Sequence, residues 1–177
     1  MPPYYDIYGL SRHRNKKTIE KFLSYFSIRG DIENREEEEI TVHKNEKYNI
    51  KETWTSINSL TEVIDFGLEN KTLGFAFYIS NHLKEGVNNI ILKFTFDGKI
   101  IFGISVEEKR ISDNGKLIDN YDKALEIEKT IAELTNSTKT SIQFEYAPSD
   151  DEEEFDSDIE MWRTMNEEKR KIISTYR

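Results

Sequence analysis

The residues capable of chemistry are few and scattered. His13, His43 and His82 lie far apart and in polar surroundings, so a base or metal role would require the fold to gather them. Glu107-Glu108 follows an apolar stretch and, with a histidine, has the makings of acid–base chemistry. Gly103-Ile104-Ser105 is half of a nucleophile elbow. It lacks the second glycine and sits inside a strand pattern with no helix after it, so it reads as strand. Asp156, Asp158 and Glu160 are spaced like the opening of a calcium loop but lack its glycine and distal glutamate, and read as an acidic helix start. Asn70-Lys71-Thr72 and Asn136-Ser137-Thr138 match the glycosylation pattern but, with no secretion signal read at the start, count as turn residues. The glycines form no phosphate-cradling spacing, and the absence of cysteine excludes disulfides, thiolate metal sites and a cysteine nucleophile. This reading assigns no catalytic residue, cofactor or metal.

Charge says more. The 177 residues carry 34 acidic and 25 basic side chains, a net charge of -9. Two acidic runs stand out, Glu36-Glu37-Glu38-Glu39 and Asp150-Asp151-Glu152-Glu153-Glu154. Such runs repel nucleic acid and steer a basic protein towards the chain. Trp54, Trp162 and Tyr176 are the aromatic interface candidates, because Trp and Tyr anchor interfaces when partly exposed. The expected partner-binding set is therefore Glu36, Glu37, Glu38, Glu39, Trp54, Asp150, Asp151, Glu152 and Trp162, and the expected partner a basic protein.

In size, acidity, lack of cysteine and these two acidic runs, the chain resembles the small acidic immunity proteins of bacterial toxin systems. That resemblance implies a non-catalytic module that masks a basic toxin or effector. Two other readings compete. One is an enzyme using Glu107 and Glu108 with a histidine, and a deep pocket with perturbed acids would favour it. The other is a nucleic-acid binder through Arg12, Arg14, Lys16, Lys17, Lys21 and Arg29, against which the overall acidity weighs. No apolar run approaches the roughly 18 residues that span a bilayer. The start, MPPYYDIYGL, does not read as a signal peptide, so a cytoplasmic location is expected.

The elements that must position these residues follow from periodicity. Ile19, Phe22, Leu23 and Phe26 fall at helical spacing within about residues 15–28. Tyr4 to Tyr8 reads as an extended aromatic piece, Ile40-Thr41-Val42 as a strand, and Tyr48, Ile50 and Trp54 as a second. Ser59 and Glu62 form a capping box for a second helix. Residues 73–106 read as a three-strand meander with Phe75, Phe77, Phe94 and Phe102 in the core. Its last turn is a three-residue loop, Phe96-Asp97-Gly98, because that register alone makes one face wholly apolar. A polar loop over 107–119, a third helix over about 120–135 and a half-buried strand from Thr140 to Tyr146 complete the body. Residues 1–148 are thus expected as one α+β domain with a mainly antiparallel sheet of about four to six strands packed against helices. Residues 149–158 read as an acidic linker, and 159–177 as a C-terminal amphipathic helix able to reach a partner or a second copy.

Overall fold

The computed structural model describes residues 3–28, 38–44, 52–57 and 59–176, with side chains for the first and last of these segments. Nine strands and four helices lie within them. The strands are β1 (Tyr4–Ser11), β2 (Glu38–Lys44), β3 (Glu52–Ile57), β4 (Leu73–Ile79), β5 (Asn89–Phe94), β6 (Ile100–Glu107), β7 (Lys109–Ile111), β8 (Leu117–Asp119) and β9 (Lys139–Phe144). The helices are α1 (Lys16–Phe26), α2 (Leu60–Glu69), α3 (Tyr121–Thr135) and α4 (Glu152–Thr175). Seven strands form one sheet in the order β3-β2-β4-β5-β6-β1-β9, antiparallel at every joint.

The meander is the centre of that sheet and has the register its hydrophobic pattern demands. Phe94 faces Ile100, Leu92 faces Phe102 and Ile90 faces Ile104. The connecting loop is Phe96-Asp97-Gly98, with Gly98 at φ +80°, a conformation glycine adopts without steric cost. The sheet is wider than expected because the aromatic N-terminal segment is a full strand. β1 lies between β6 and β9 and is buried along nearly its whole length. The polar segment 107–119 is also not a plain loop. It folds into a small β7–β8 ribbon, with Gly115 in a positive-φ turn.

Helices α1, α2 and α3 cover one face of the sheet. Their buried residues, including Phe22, Ile64 and Ile131, pack with Tyr5, Ile7, Phe75, Leu92, Phe94 and Phe102. Asn15 caps α1 and Ser59 caps α2 by accepting backbone N–H groups three residues on. Arg14 ties this layer together. Only 8% exposed, its guanidinium donates to the carbonyls of Gly67 and Asn70 at the end of α2, at 2.6 and 3.0 Å, and to Thr95 in the hairpin, at 2.9 Å. It also lies 4.9 Å from the centre of the Phe94 ring. Cations are favoured at helix C-termini, where carbonyls lack partners, and Arg fits several carbonyls at once. Burial lowers its pKa to about 10.

The expected linker over 149–158 is instead the start of α4. Asp151 caps the helix by accepting the Glu154 N–H, and Glu152, Glu153 and Glu154 fill its first turn, where the helix dipole favours acids. The run escapes self-repulsion because the sheet brings lysines to it. Lys93 pairs with Asp150 at 2.5 Å, Lys99 pairs with Glu152, and Lys139 meets Glu152 at 3.1 Å and Asp156 at 2.6 Å. The hairpin loop grips the same turn, with Phe96 N–H donating to the Asp150 carbonyl and Asp97 accepting the Glu152 N–H. Phe155 and Ile159 then pack on Tyr8, Leu10, Ile91 and Ile101, on the second face. Further along, the Asn166 side-chain amide donates to the Ile142 carbonyl of edge strand β9, and Arg170 reaches Glu128 of α3 at 2.8 Å. A single 24-residue helix thus runs from the second face past the sheet edge to the helical layer.

Replacing Arg14 with Met should lower the unfolding free energy by about 3 kcal/mol, since several buried carbonyls lose their donor. Arg14→Lys should recover only part of this, because one ammonium cannot span the same carbonyls. Urea unfolding of the three proteins checks both expectations.

Candidate functional site

The two faces of the sheet differ in chemistry. The face under α1, α2 and α3 is apolar, whereas cross-strand neighbours on the other form a polar row, Gln143, Asp6, Ser105 and Asn89, across β9, β1, β6 and β5. The next row is Ser141, Tyr8, Gly103, Ile91 and Tyr78. Gly103 is fixed by its neighbour, because a Cβ there would lie 2.7 Å from the Tyr8 ring. The first half of α4 shields Tyr8 and Leu10, while Tyr78 is left 50% exposed.

Asp6 and Tyr8 together hold Tyr146. The Asp6 carboxylate accepts the Ser105 hydroxyl through one oxygen and the Tyr146 N–H, at 3.1 Å, through the other. The Tyr8 hydroxyl donates to the Tyr146 carbonyl at 2.7 Å. The preceding Glu145 has φ +46°, a strained conformation for a residue with a Cβ, and its N–H donates to the Tyr4 carbonyl. The backbone on either side of the Tyr146 side chain is thus bonded to β1. Its ring stands edge-on to Trp162 of α4, with centroids 5.9 Å apart, and remains 40% exposed.

Tyr78, Tyr146, Lys93, Asp150 and Glu154 line a shallow depression of about 280 Å³ with Ala147 and Pro148. Its cation, Lys93, is already paired with Asp150. Glu154 accepts the Asp150 N–H, and its pKa is raised by burial and by the neighbouring acids Asp150, Asp158 and Asp151. Burial likewise raises Asp6 against the pull of its two hydrogen bonds, and raises Tyr78, with Asp6 adding to the effect. Two partly exposed aromatic rings beside carboxylates offer a cation both π faces and counter-charge. Ser105 is buried and bound to Asp6, so its hydroxyl is not placed to attack a substrate.

The expected site residues are dispersed. Glu36 and Glu37 lie outside the described residues. Glu38 and Glu39 fall in β2 and Trp54 in β3, where Trp54 faces Thr41 in the ladder. Asp150 and Glu152 form ion pairs within the chain, Asp151 is the α4 cap, and Trp162 is half-buried against Tyr146. Tyr176 is 87% exposed. Of the basic cluster, Arg14 is buried, Lys16 pairs with Asp65 at 3.5 Å, and Arg29 lies outside the described residues. His13 and His82 are exposed, and the described residues hold no cluster of three or more potential metal ligands. Nor is any described helix long and apolar enough to cross a membrane. The sequence reading missed Tyr78, Tyr146, Asp6, Lys93 and Glu154 as a group. The signal was present in two of them, since Asp6 and Lys93 interrupt otherwise apolar or aromatic strands.

Tyr8→Phe should cost about 1 kcal/mol, and Asp6→Ala about 2–3 kcal/mol, because the latter leaves two donors without an acceptor. The pH dependence has a definite sign. With its folded-state pKa raised, Asp6 binds a proton in the native chain at a pH where the unfolded carboxylate is still ionised. Its contribution to stability therefore grows as pH falls through the raised value and levels off below the ordinary aspartate range. Asp6→Asn should flatten that rise in urea midpoints measured across the acid range.

No family model matches this chain, and neither the curated proteins nor the solved structures contain a match to it.

Proposed function

We propose that the chain is a non-catalytic module that binds a basic protein, in the manner expected of an immunity-type protein masking a toxin or effector. The observation that carries this reading is the incompletely covered second face of the sheet. There Tyr78 and Tyr146 stand partly exposed beside Asp150 and Glu154, around a depression whose own cation is already neutralised. A partner Arg or Lys side chain entering it meets an aromatic surface and the Glu154 carboxylate. Tyrosine suits such a contact because it brings area with little side-chain freedom to lose. The net charge of -9 adds long-range attraction for a basic surface.

This moves the proposed interface from the acidic runs to their border. Asp150 and Glu152 contribute by fixing α4 and the depression's rim through internal ion pairs. Glu154 and the two tyrosines make the contact. Partner binding through Asp151, Trp162, the glutamates of 36–39 or Trp54 is not needed for this reading.

The test is co-expression with the protein encoded by the adjoining reading frame, followed by calorimetric titration of the purified pair. A basic partner should bind, and Tyr78→Ala, Tyr146→Ala and Glu154→Gln should each weaken it about tenfold or more. The Glu154 contribution should fade as pH drops through its raised folded-state value, because the protonated carboxyl no longer attracts a cation. A complex indifferent to all three substitutions would refute the assignment of this face.

A further inference from the structure

A second pocket, of about 520 Å³, lies where the end of β6, the β7–β8 ribbon and the start of α3 meet. It shares no residue with the tyrosine depression. Asn120 forms part of its wall and is 6% exposed. The Asn120 Nδ2 donates to the Glu107 carbonyl at 3.0 Å. A carbonyl only accepts, so this bond fixes the amide orientation and assigns the other side-chain atom as Oδ1. That Oδ1 is buried and has no hydrogen-bond partner, an arrangement that normally costs about 1–3 kcal/mol.

The charges around it are unevenly satisfied. Arg110 pairs with Asp122 at 2.9 Å, and Lys123 with Glu126 at 3.6 Å. Glu107 and Lys109 also line the pocket, and among the described residues neither forms an ion pair. The pocket therefore presents one free acid and one free base, with an unsatisfied acceptor buried in its wall. Glu107 and Lys109 are two residues apart, at most about 7 Å of chain. That separation suits an ammonium and a carboxylate carried on one carbon, each making a charge-assisted bond of about 2.8 Å.

We propose that this pocket binds a small zwitterion of the amino-acid class. Its ammonium lies against Glu107, and its carboxylate against Lys109. The remaining wall carries the Arg110–Asp122 and Lys123–Glu126 pairs, which favour a polar side chain over a large apolar one. The volume is within the range of small-molecule sites and leaves room beyond the head group. The role fits Glu107, which the sequence singles out as half of a carboxylate pair, without demanding that Glu108 share it.

The full chain, isotope-labelled, is titrated with the polar amino acids, with the matching decarboxylated amine and with the matching N-acetylated acid, and followed by NMR. A polar amino acid should bind in the millimolar range or tighter, shifting residues 86–88, 107–110 and 120. The amine and the N-acetylated acid should bind about tenfold more weakly, since each lacks one charge. Glu107→Gln should weaken the amino acid and the amine alike but leave the N-acetylated acid unchanged. Lys109→Met should do the converse. Both residues are exposed, so neither change threatens the fold as the loss of buried Asn120 would. Absence of shifts with every amino acid, or binding unaffected by both substitutions, would overturn the proposal without bearing on the tyrosine face.

Discussion

A seven-stranded antiparallel sheet has two faces to remove from water, and this chain covers them unequally. Three helices close one face into a continuous apolar core. Only the leading half of α4 lies on the other, where the packed apolar group is Tyr8, Leu10, Ile91, Ile101, Phe155 and Ile159. The rest of that surface is managed by polar chemistry. Asp6, Ser105 and the Tyr146 backbone satisfy one another, and Lys93 is buried beneath Asp150. This asymmetry explains why carboxylates with raised pKa values gather on one side, and why partly exposed tyrosines remain there.

The acidic run 150–154 shows how local charge and tertiary context combine. In isolation it would be a solvated, self-repelling segment. Lys93, Lys99 and Lys139 come from three different strands of the sheet, so their convergence on the start of α4 exists only once the sheet has formed. The pKa of Glu152 is held down by hydrogen bonds from Lys99 and Lys139. Asp97 is held down too, despite its burial, by bonds from Thr95 and Lys99. The helix start and the hairpin loop therefore depend on each other, and α4 docks as a consequence of the meander's register.

Much of the architecture was legible in the sequence because period-two and period-3.6 patterns report burial directly. The Phe94–Ile100 register, the Ser59 cap and the buried Phe75, Phe77 and Phe102 all follow from that rule. The reading failed where a partner distant in sequence decides the outcome. Residues 149–158 look like a linker until lysines 13 or more positions away neutralise them. Arg14 looks like part of a basic surface until α2 and the hairpin surround it with carbonyls. Tyr78 and Tyr146 are 68 positions apart by residue number, and no spacing rule joins them. What joins them is β1, which enters the sheet between β6 and β9 and brings Asp6 and Tyr8 beneath the chain at Tyr146.

The central claim is that the half-covered face is where a basic protein docks. Hydroxyl-radical footprinting of the chain, alone and in its complex, reads this directly because the relevant side chains are reactive tyrosines. The account predicts that Tyr78 and Tyr146 lose reactivity on binding, while Tyr25 and Tyr176, exposed elsewhere on the molecule, keep theirs. Protection of Tyr25 or Tyr176 with Tyr78 and Tyr146 unchanged would contradict it.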